Sequence, residues 1–436
     1  MKDVSVSFFT TALIQIVNIA TGLLAARLLL PEGRGELAAI ILWPGLIAEL
    51  GNLGLHDALL YRAATRSATP RELFAAAMVL VGTLSGALIL VGLVVIPIVF
   101  ESHSPYVQTI ALYFLCAYLP TYFTSLFTSG MFQGNLEITT WNALRALVPI
   151  TYLIGIILLL LVGVSGVADF AIAYIVAQLV AASAGFFLLA RRGWISWRAK
   201  PEVMRSLAVY GIKVHVGEVL YSLRQRIDQA VISLWLPAAD LGLYVVALTV
   251  ANGPLILVFT LANVAFPKIS QQATAGGKLA VFGRYLRFSL AMASGTIIVL
   301  WLLVPWLLPL LFGQPFAPAV PIANILLLGT LPLAAKLMFQ QALKAWDRSL
   351  MVGRAELSGL VVAVVLIAVL MPSFGLIGVA WSLVLSQTVT AAMMALSLHF
   401  DLKLPLLSLF VPTSEDWQLV REWFSKVAAR LKPRNG

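Results

Sequence analysis

Arg191-Arg192-Gly193-Trp194-Ile195-Ser196-Trp197-Arg198-Ala199-Lys200-Pro201 interrupts an apolar chain near its middle. On each side lie stretches of mostly apolar residues long enough to cross a bilayer. A hydrocarbon core about 30 Å thick needs about 20 helical residues at 1.5 Å rise each. Counting outward gives six stretches before the interruption, near 5–29, 36–60, 72–99, 106–132, 138–162 and 167–190. Six follow it, near 206–235, 240–266, 285–311, 319–344, 352–371 and 376–399. Pro31-Glu32-Gly33-Arg34-Gly35 reads as a loop between the first pair, and Ser102-His103-Ser104-Pro105 as another.

The composition agrees. The chain has 436 residues, 61% hydrophobic and 11% charged, with a mean hydropathy of +0.96. A soluble domain is about 45–50% apolar and about 25% charged, so soluble, disordered and collagen-like classes are excluded. The net charge of +10 would suggest nucleic acid in a soluble protein. In this chain it points to the membrane. Cys116 stands alone, so no internal disulfide is expected. Lys2 precedes an apolar run longer than a signal-peptide core, which reads as a retained first helix.

The cations give the orientation. With the N-terminus in the cytoplasm, 22 Lys and Arg fall at cytoplasmic ends and loops, and one, Arg34, falls outside. That asymmetry is the positive-inside rule. It predicts an even number of helices, with both termini cytoplasmic. The expected organisation is a six-helix lobe over 1–192, a linker over 193–205, a six-helix lobe over 206–400 and a tail over 401–436. Trp417, Val420, Phe424, Val427 and Leu431 recur in the tail at helical spacing, as in an amphipathic helix or a solvated tail.

The halves look duplicated. Leu30-Pro31 with Gly35 and Ala39 resembles Leu236-Pro237 with Gly242 and Ala247. Leu119-Pro120 corresponds to Leu331-Pro332, and Gly163 through Ala168 to Gly375 through Ala380. Six helices per copy make this a parallel repeat about an axis along the membrane normal.

Ten charges sit inside the expected helices: Arg27, Glu49, Asp57, Arg145, Lys213, Glu218, Arg224, Arg226, Asp228 and Lys336. A charge at the bilayer centre costs at least about 2.5–3.5 kcal/mol, so each must meet a partner, water or a ligand. Arg27 and Asp57 lie near helix ends, within reach of the interface. The seventh stretch is the richest, with Lys213, Glu218, Arg224, Arg226 and Asp228. It fits a cavity-lining helix, or a set of buried ion pairs that fix register. Arg224 and Asp228, four apart, can pair along one face. The ten charges sum to +2. That suits an anionic ligand held by Arg27, Arg145, Lys213, Arg224, Arg226 and Lys336, with Glu49, Glu218 and Asp228 as ion-coupling groups. No metal-ligand spacing or nucleotide fingerprint is present, and no cofactor is expected.

Three patterns then resemble a known family. They are Ala26-Arg27-Leu28-Leu29-Leu30-Pro31-Glu32-Gly33-Arg34-Gly35-Glu36, Gly51-Asn52-Leu53-Gly54-Leu55 with Ala58 and Arg62, and Arg226-Ile227-Asp228 followed by Leu241-Gly242-Leu243-Tyr244 and Ala247. Phe266-Pro267-Lys268-Ile269-Ser270 adds a fourth. The sequence resembles the Wzx-type oligosaccharide flippases of the MATE/MOP superfamily over about residues 5–400. The resemblance implies twelve or fourteen transmembrane helices in two pseudo-symmetric lobes around a central cavity, in a bacterial inner membrane; the chain's own count makes it an all-α polytopic membrane protein with 12 transmembrane helices. It implies a flippase for undecaprenyl-pyrophosphate-linked oligosaccharides, not an enzyme. Its partners would be that lipid-linked substrate, membrane lipids and polysaccharide polymerase or export machinery, with a monomeric chain and no nucleic acid. Two other classes stay open: a cation-coupled multidrug exporter, and a membrane glycosyltransferase or polymerase. The short external loops count against the enzyme.

Overall fold

The computed structural model describes residues 2–405, 409–411 and 421. The amphipathic helix expected around Trp417 to Leu431 lies outside them. The described chain is all helical. Its helices are α1 (Lys2–Gly51), α2 (Leu55–Ala64), α3 (Pro70–Val99), α4 (Pro105–Gly134), α5 (Ile138–Val162) and α6 (Val167–Arg191). After the central interruption come α7 (Pro201–Trp235), α8 (Ala238–Ala251), α9 (Leu255–Ser270), α10 (Ala275–Phe312), α11 (Ala319–Ala345) and α12 (Ser349–Phe400). Eight described helices are long and apolar enough to cross a membrane.

The expected stretches are present but cut differently. The loop expected at Pro31–Gly35 is instead a kink: α1 continues through it, with one non-helical residue, Leu30, at φ 59° and ψ 178°. Pro31 then begins the second helical segment, where its missing N–H leaves no bond unmade. Arg34 therefore stands on a helix rather than in an external loop. The eleventh and twelfth stretches likewise merge in α12 through Gly375, at φ 53° and ψ −133°. Conversely, the second stretch is broken at Asn52-Leu53-Gly54, and the eighth at Asn252-Gly253-Pro254. Both breaks begin at an asparagine, in the second stretch of each half.

The chain forms two compact units. The first joins Met1–Thr249 with Pro305–Ile322, and the second joins Val250–Val304 with Ala323–Gly436. In the first unit α4 packs on α6 and α3, α5 packs between α1 and α6, and α7 lies against α1, α2 and α3. The central interruption is pinned to this unit. Arg71 Nε donates to the Gly193 carbonyl at 2.6 Å, and Lys200 pairs with Glu72 at 2.5 Å. The Glu72 hydrogen bond and charge hold the Lys200 ammonium above its usual range. Trp194 stacks on Phe132, and Trp197 packs edge-on to Phe74. Thr69 and Glu72 form a capping box at the start of α3.

The second unit has its own core. Phe282 and Leu286 of α10, Met338 and Phe339 of α11, and Met394 and Leu398 of α12 are buried together.

Two glycine contacts set the spacing in the first unit. A Cβ on Gly35 would overlap the Ala238 carbonyl, and one on Gly242 would overlap the Pro31 carbonyl. The α1 and α8 backbones touch there, which only residues without side chains allow. These are the glycines matched in the duplicated pattern. Gly54, at φ 65°, abuts the Gly211 carbonyl in the same way. Together with Leu53 at φ 51°, it breaks the helix before α2 and lets α7 close in.

Candidate functional site

The second segment of α1 runs antiparallel to α7, and polar contacts tie the two along their length. Trp43 Nε1 donates to Ser233 Oγ at 3.1 Å. Arg226 Nη2 pairs with Glu49 Oε1 at 3.2 Å. A ring nitrogen of His215 lies 2.9 Å from the Leu50 carbonyl. The Gly54–Gly211 contact follows at the far end. The polar circumference of α7, unsuited to lipid, is thus turned partly onto α1.

Asp228 sits one turn from Arg224 and is 4% exposed. Tyr244 of α8, itself fully buried, donates its hydroxyl to Asp228 Oδ2 at 2.6 Å. The Gln229 N–H donates to Oδ1 at 2.8 Å. The carboxylate is solvated by fixed donors in place of water. Arg224 is buried beside it on the same helix, whereas Lys213 is exposed. The arc that the helical wheel draws through Lys213, Arg224 and Asp228 therefore spans two environments.

A tyrosine cluster completes this region. Tyr118 and Tyr122 of α4 stack with centroids 5.1 Å apart. Tyr174 of α6 lies 6.2 Å from Tyr118 and meets Tyr152 of α5 edge-on at 5.0 Å. The charges of Arg226 and Glu49 reach Tyr118 and Tyr122. Gln178, one turn along from Tyr174, is buried too. Arg34 approaches the cluster from α1, with its charge within reach of Tyr152. Its Nε is buried without a hydrogen-bond partner.

The remaining expected site residues are spread out. Arg27 donates to the Leu311 and Leu310 carbonyls at 2.6 and 2.5 Å. Those carbonyls belong to the last turn of α10, where backbone acceptors are unmet and the helix dipole is negative. Arg27 thus closes a helix end. Arg145 lies 4.6 Å from the Trp141 ring centre and donates to Asn142 Oδ1 at 3.2 Å. Asn142 in turn donates to Ser7 Oγ at 2.9 Å, bracing α5 on α1. Lys336, in the second unit, pairs with Glu356 at 2.9 Å and is 7% exposed. The Glu218 side chain lies outside the described residues. A separate cleft of about 250 Å³ is lined by apolar groups, among them Leu55, Leu80, Leu84 and Ile212. Among the described residues, no cluster of three His, Cys, Asp or Glu could hold a metal.

Sequence reasoning missed Arg34 and the four tyrosines. Arg34 was hidden by the loop-like Pro and Gly around it. The tyrosines counted as apolar in a hydropathy reading. The four-residue spacings of Tyr118 with Tyr122 and of Tyr174 with Gln178 were the available signal.

The family model described as polysaccharide biosynthesis protein matches residues 1–273. No curated protein is close enough in sequence to count as a relative. Among solved structures, the chain is similar to the lipid II flippase MurJ in an inward closed conformation. The TM-score is 0.78 at 13% identity, covering 92% of this chain and 89% of that one. It is also similar to an inward-facing multidrug resistance MATE family transporter of the MOP superfamily, at TM-score 0.70 and 14% identity, with 91% and 95% covered. A MOP superfamily transporter from Pyrococcus furiosus gives TM-score 0.61 at 13% identity, with 93% and 95% covered. At these identities the likeness is one of fold.

Proposed function

The chain belongs to the polysaccharide biosynthesis protein family, and from that premise we propose that it flips undecaprenyl-pyrophosphate-linked oligosaccharide across the bacterial inner membrane by alternating access. It is a multi-pass membrane protein of the MOP type, not an enzyme. The observation that carries the reading is the Arg226–Glu49 pair, whose charges reach a cluster of tyrosines inside a bundle of apolar helices. Sugars and pyrophosphate cannot enter hydrocarbon without losing their hydration. Guanidinium groups replace water at phosphate oxygens. Tyrosine supplies a flat apolar face and a hydroxyl, which suits a sugar ring. The polyprenyl chain stays in lipid.

The proposal counts twelve crossings. The 50 and 52 residues of α1 and α12 are each too long for one crossing and are kinked within. Each contributes two, α7 contributes one, and α8 with α9 contributes another. Both termini are then cytoplasmic, and 1–192 and 206–400 are the two copies of the repeat. Arg145, Lys213, Arg224 and Arg226 are proposed as substrate-facing cations of the first unit, while Arg27 is held at the α10 terminus and Lys336 pairs with Glu356 in the second. Glu49, Glu218 and Asp228 are the coupling candidates. The protein acts as a monomer alongside polymerase and export machinery.

The test is leaflet translocation in proteoliposomes. The purified protein is expected to move a fluorescent undecaprenyl-pyrophosphate oligosaccharide between leaflets. Arg224→Ala and Arg226→Ala variants, inserted normally, are expected to lose about tenfold or more in rate. Full glycan export by both variants would refute the site. Efflux of organic cations with no movement of the lipid-linked sugar would replace the reading with the drug-exporter one.

A further inference from the structure

We infer that Arg34 is an anion-binding residue, the centre of a subsite in which its guanidinium takes an anionic oxygen of the transported lipid-linked sugar while Tyr152 and Tyr174 flank the adjoining ring. The inference rests on the flippase reading and names the ligand chemistry of one part of it.

Three observations place Arg34 in this role. It lies within a helical segment of an apolar helix, one turn beyond the Leu30 kink, where a charge needs a partner. Among the described residues it makes no ion pair or hydrogen bond, and its Nε is buried. The other arginines of the α1 and α5 helices have their guanidinium groups engaged: Arg27 by two carbonyls, and Arg145 by Asn142 and Trp141. Arg34 is thus a partly buried cation, its Nε enclosed, with unspent hydrogen-bonding capacity.

The backbone that carries it is held in place on both sides. A Cβ on Gly33 would touch Val167 of α6 at 3.2 Å, and Gly35 abuts Ala238 of α8. The segment between the two glycines is thereby held against α6 and α8, with α5, which packs on both α1 and α6, alongside. There Tyr152, 7% exposed, and Tyr174 meet edge-on. Tyr174 continues to Tyr118 and Tyr122, and so to the Arg226–Glu49 pair. A continuous row of four tyrosines thus runs through the first unit, with the charge of Arg34 felt at one end and those of Arg226 and Glu49 at the other. A guanidinium beside aromatic hydroxyls can bind an anion and a sugar ring together. The anionic oxygen can come from the pyrophosphate or from a carboxylate on an acidic sugar, and the test separates the two.

The test uses the purified full chain in detergent and reads its thermal midpoint. A structural arginine and a ligand arginine respond in opposite ways to Arg34→Met. Replacing an uncompensated, partly buried charge by an apolar side chain of similar length leaves the empty protein as stable or stabilises it. A ligand that binds only the native state raises the midpoint. Sodium pyrophosphate and an undecaprenyl-pyrophosphate oligosaccharide containing glucuronate are the probes.

In the wild type, at least one probe is expected to raise the midpoint by about 2–4 °C, near 1 kcal/mol of linkage. A rise with pyrophosphate assigns the phosphate. A rise with the glucuronate-bearing lipid, absent for its neutral-sugar counterpart, assigns the carboxylate. Arg34→Met is expected to melt at or above the wild-type temperature and to lose the rise, while Arg34→Lys keeps part of it. The inference is overturned if Arg34→Met melts several degrees lower with its probe response intact, or if no probe shifts the wild type. Stabilisation of the wild type by organic cations alone would sink the flippase reading, whatever Arg34 does.

Discussion

Asp228 and Tyr244 meet at 2.6 Å with both residues buried. Removing the hydroxyl leaves a carboxylate oxygen with one donor fewer in a place water does not reach. A buried acceptor robbed of its partner costs about 1–3 kcal/mol. Tyr244→Phe is therefore expected to lower the thermal midpoint by several degrees, and Asp228→Asn combined with it to recover part of the loss. The Glu49 and Arg226 side chains are 28% and 39% exposed, so their charges are partly solvated. A double-mutant cycle with Glu49→Gln and Arg226→Gln is expected to give a coupling of about 1 kcal/mol or less in stability, yet a large effect of Arg226→Gln alone on translocation. A coupling above about 3 kcal/mol would instead mark the pair as structural. Hydropathy made Asp228 and Arg226 visible, because a charge in an apolar run stands out. Tyr244 lay in a quoted pattern but had no assigned role, because a hydrogen bond across sixteen residues leaves no period to read.

Helix α1 shows why punctuation in a membrane sequence can mislead. Pro31, Gly33 and Gly35 read as a loop, yet they begin and pack a helix. Pro fits the first turn after a kink, and glycine serves wherever another backbone comes close. The same residue types serve both purposes, so composition alone does not separate them. A pair of variants does. A Cβ on Gly45 meets nothing within 4 Å, whereas one on Gly35 collides with backbone. Gly45→Ala is expected to be neutral or stabilising by about 0.5–1 kcal/mol. Gly35→Ala should lower the midpoint strongly, and Gly35→Leu should yield little folded protein. Equal midpoints for the two alanine variants would refute the close crossing.

At the scale of the whole chain, the central interruption and the distribution of cations made the helical plan legible. The twelve apolar stretches account for α1 through α12, once two pairs are joined and two stretches are cut. The joins and cuts were not legible, because Leu30 and Leu53 differ little in hydropathy from neighbours that stay helical, and a single polar residue such as Asn252 is too brief a dip to end an apolar run. Topology can be checked directly. In a Cys116→Ser background, Ser102→Cys is expected to react in intact cells with a membrane-impermeant thiol reagent. Arg198→Cys should react only after the membrane is opened. Labelling of both from the same side would overturn the twelve-crossing proposal.

The touching glycines of α1 and α8 have a consequence for how such a chain can change over time. Gly35 and Gly242 descend, on the duplication reading, from one ancestral position, and each now presses on the backbone that carries the other. A surface that meets its own copy cannot diversify one side at a time. A methyl group acquired by either copy would have to be answered by a shift in its twin. The rest of each half can drift until no likeness is left, while this crossing keeps its inherited form.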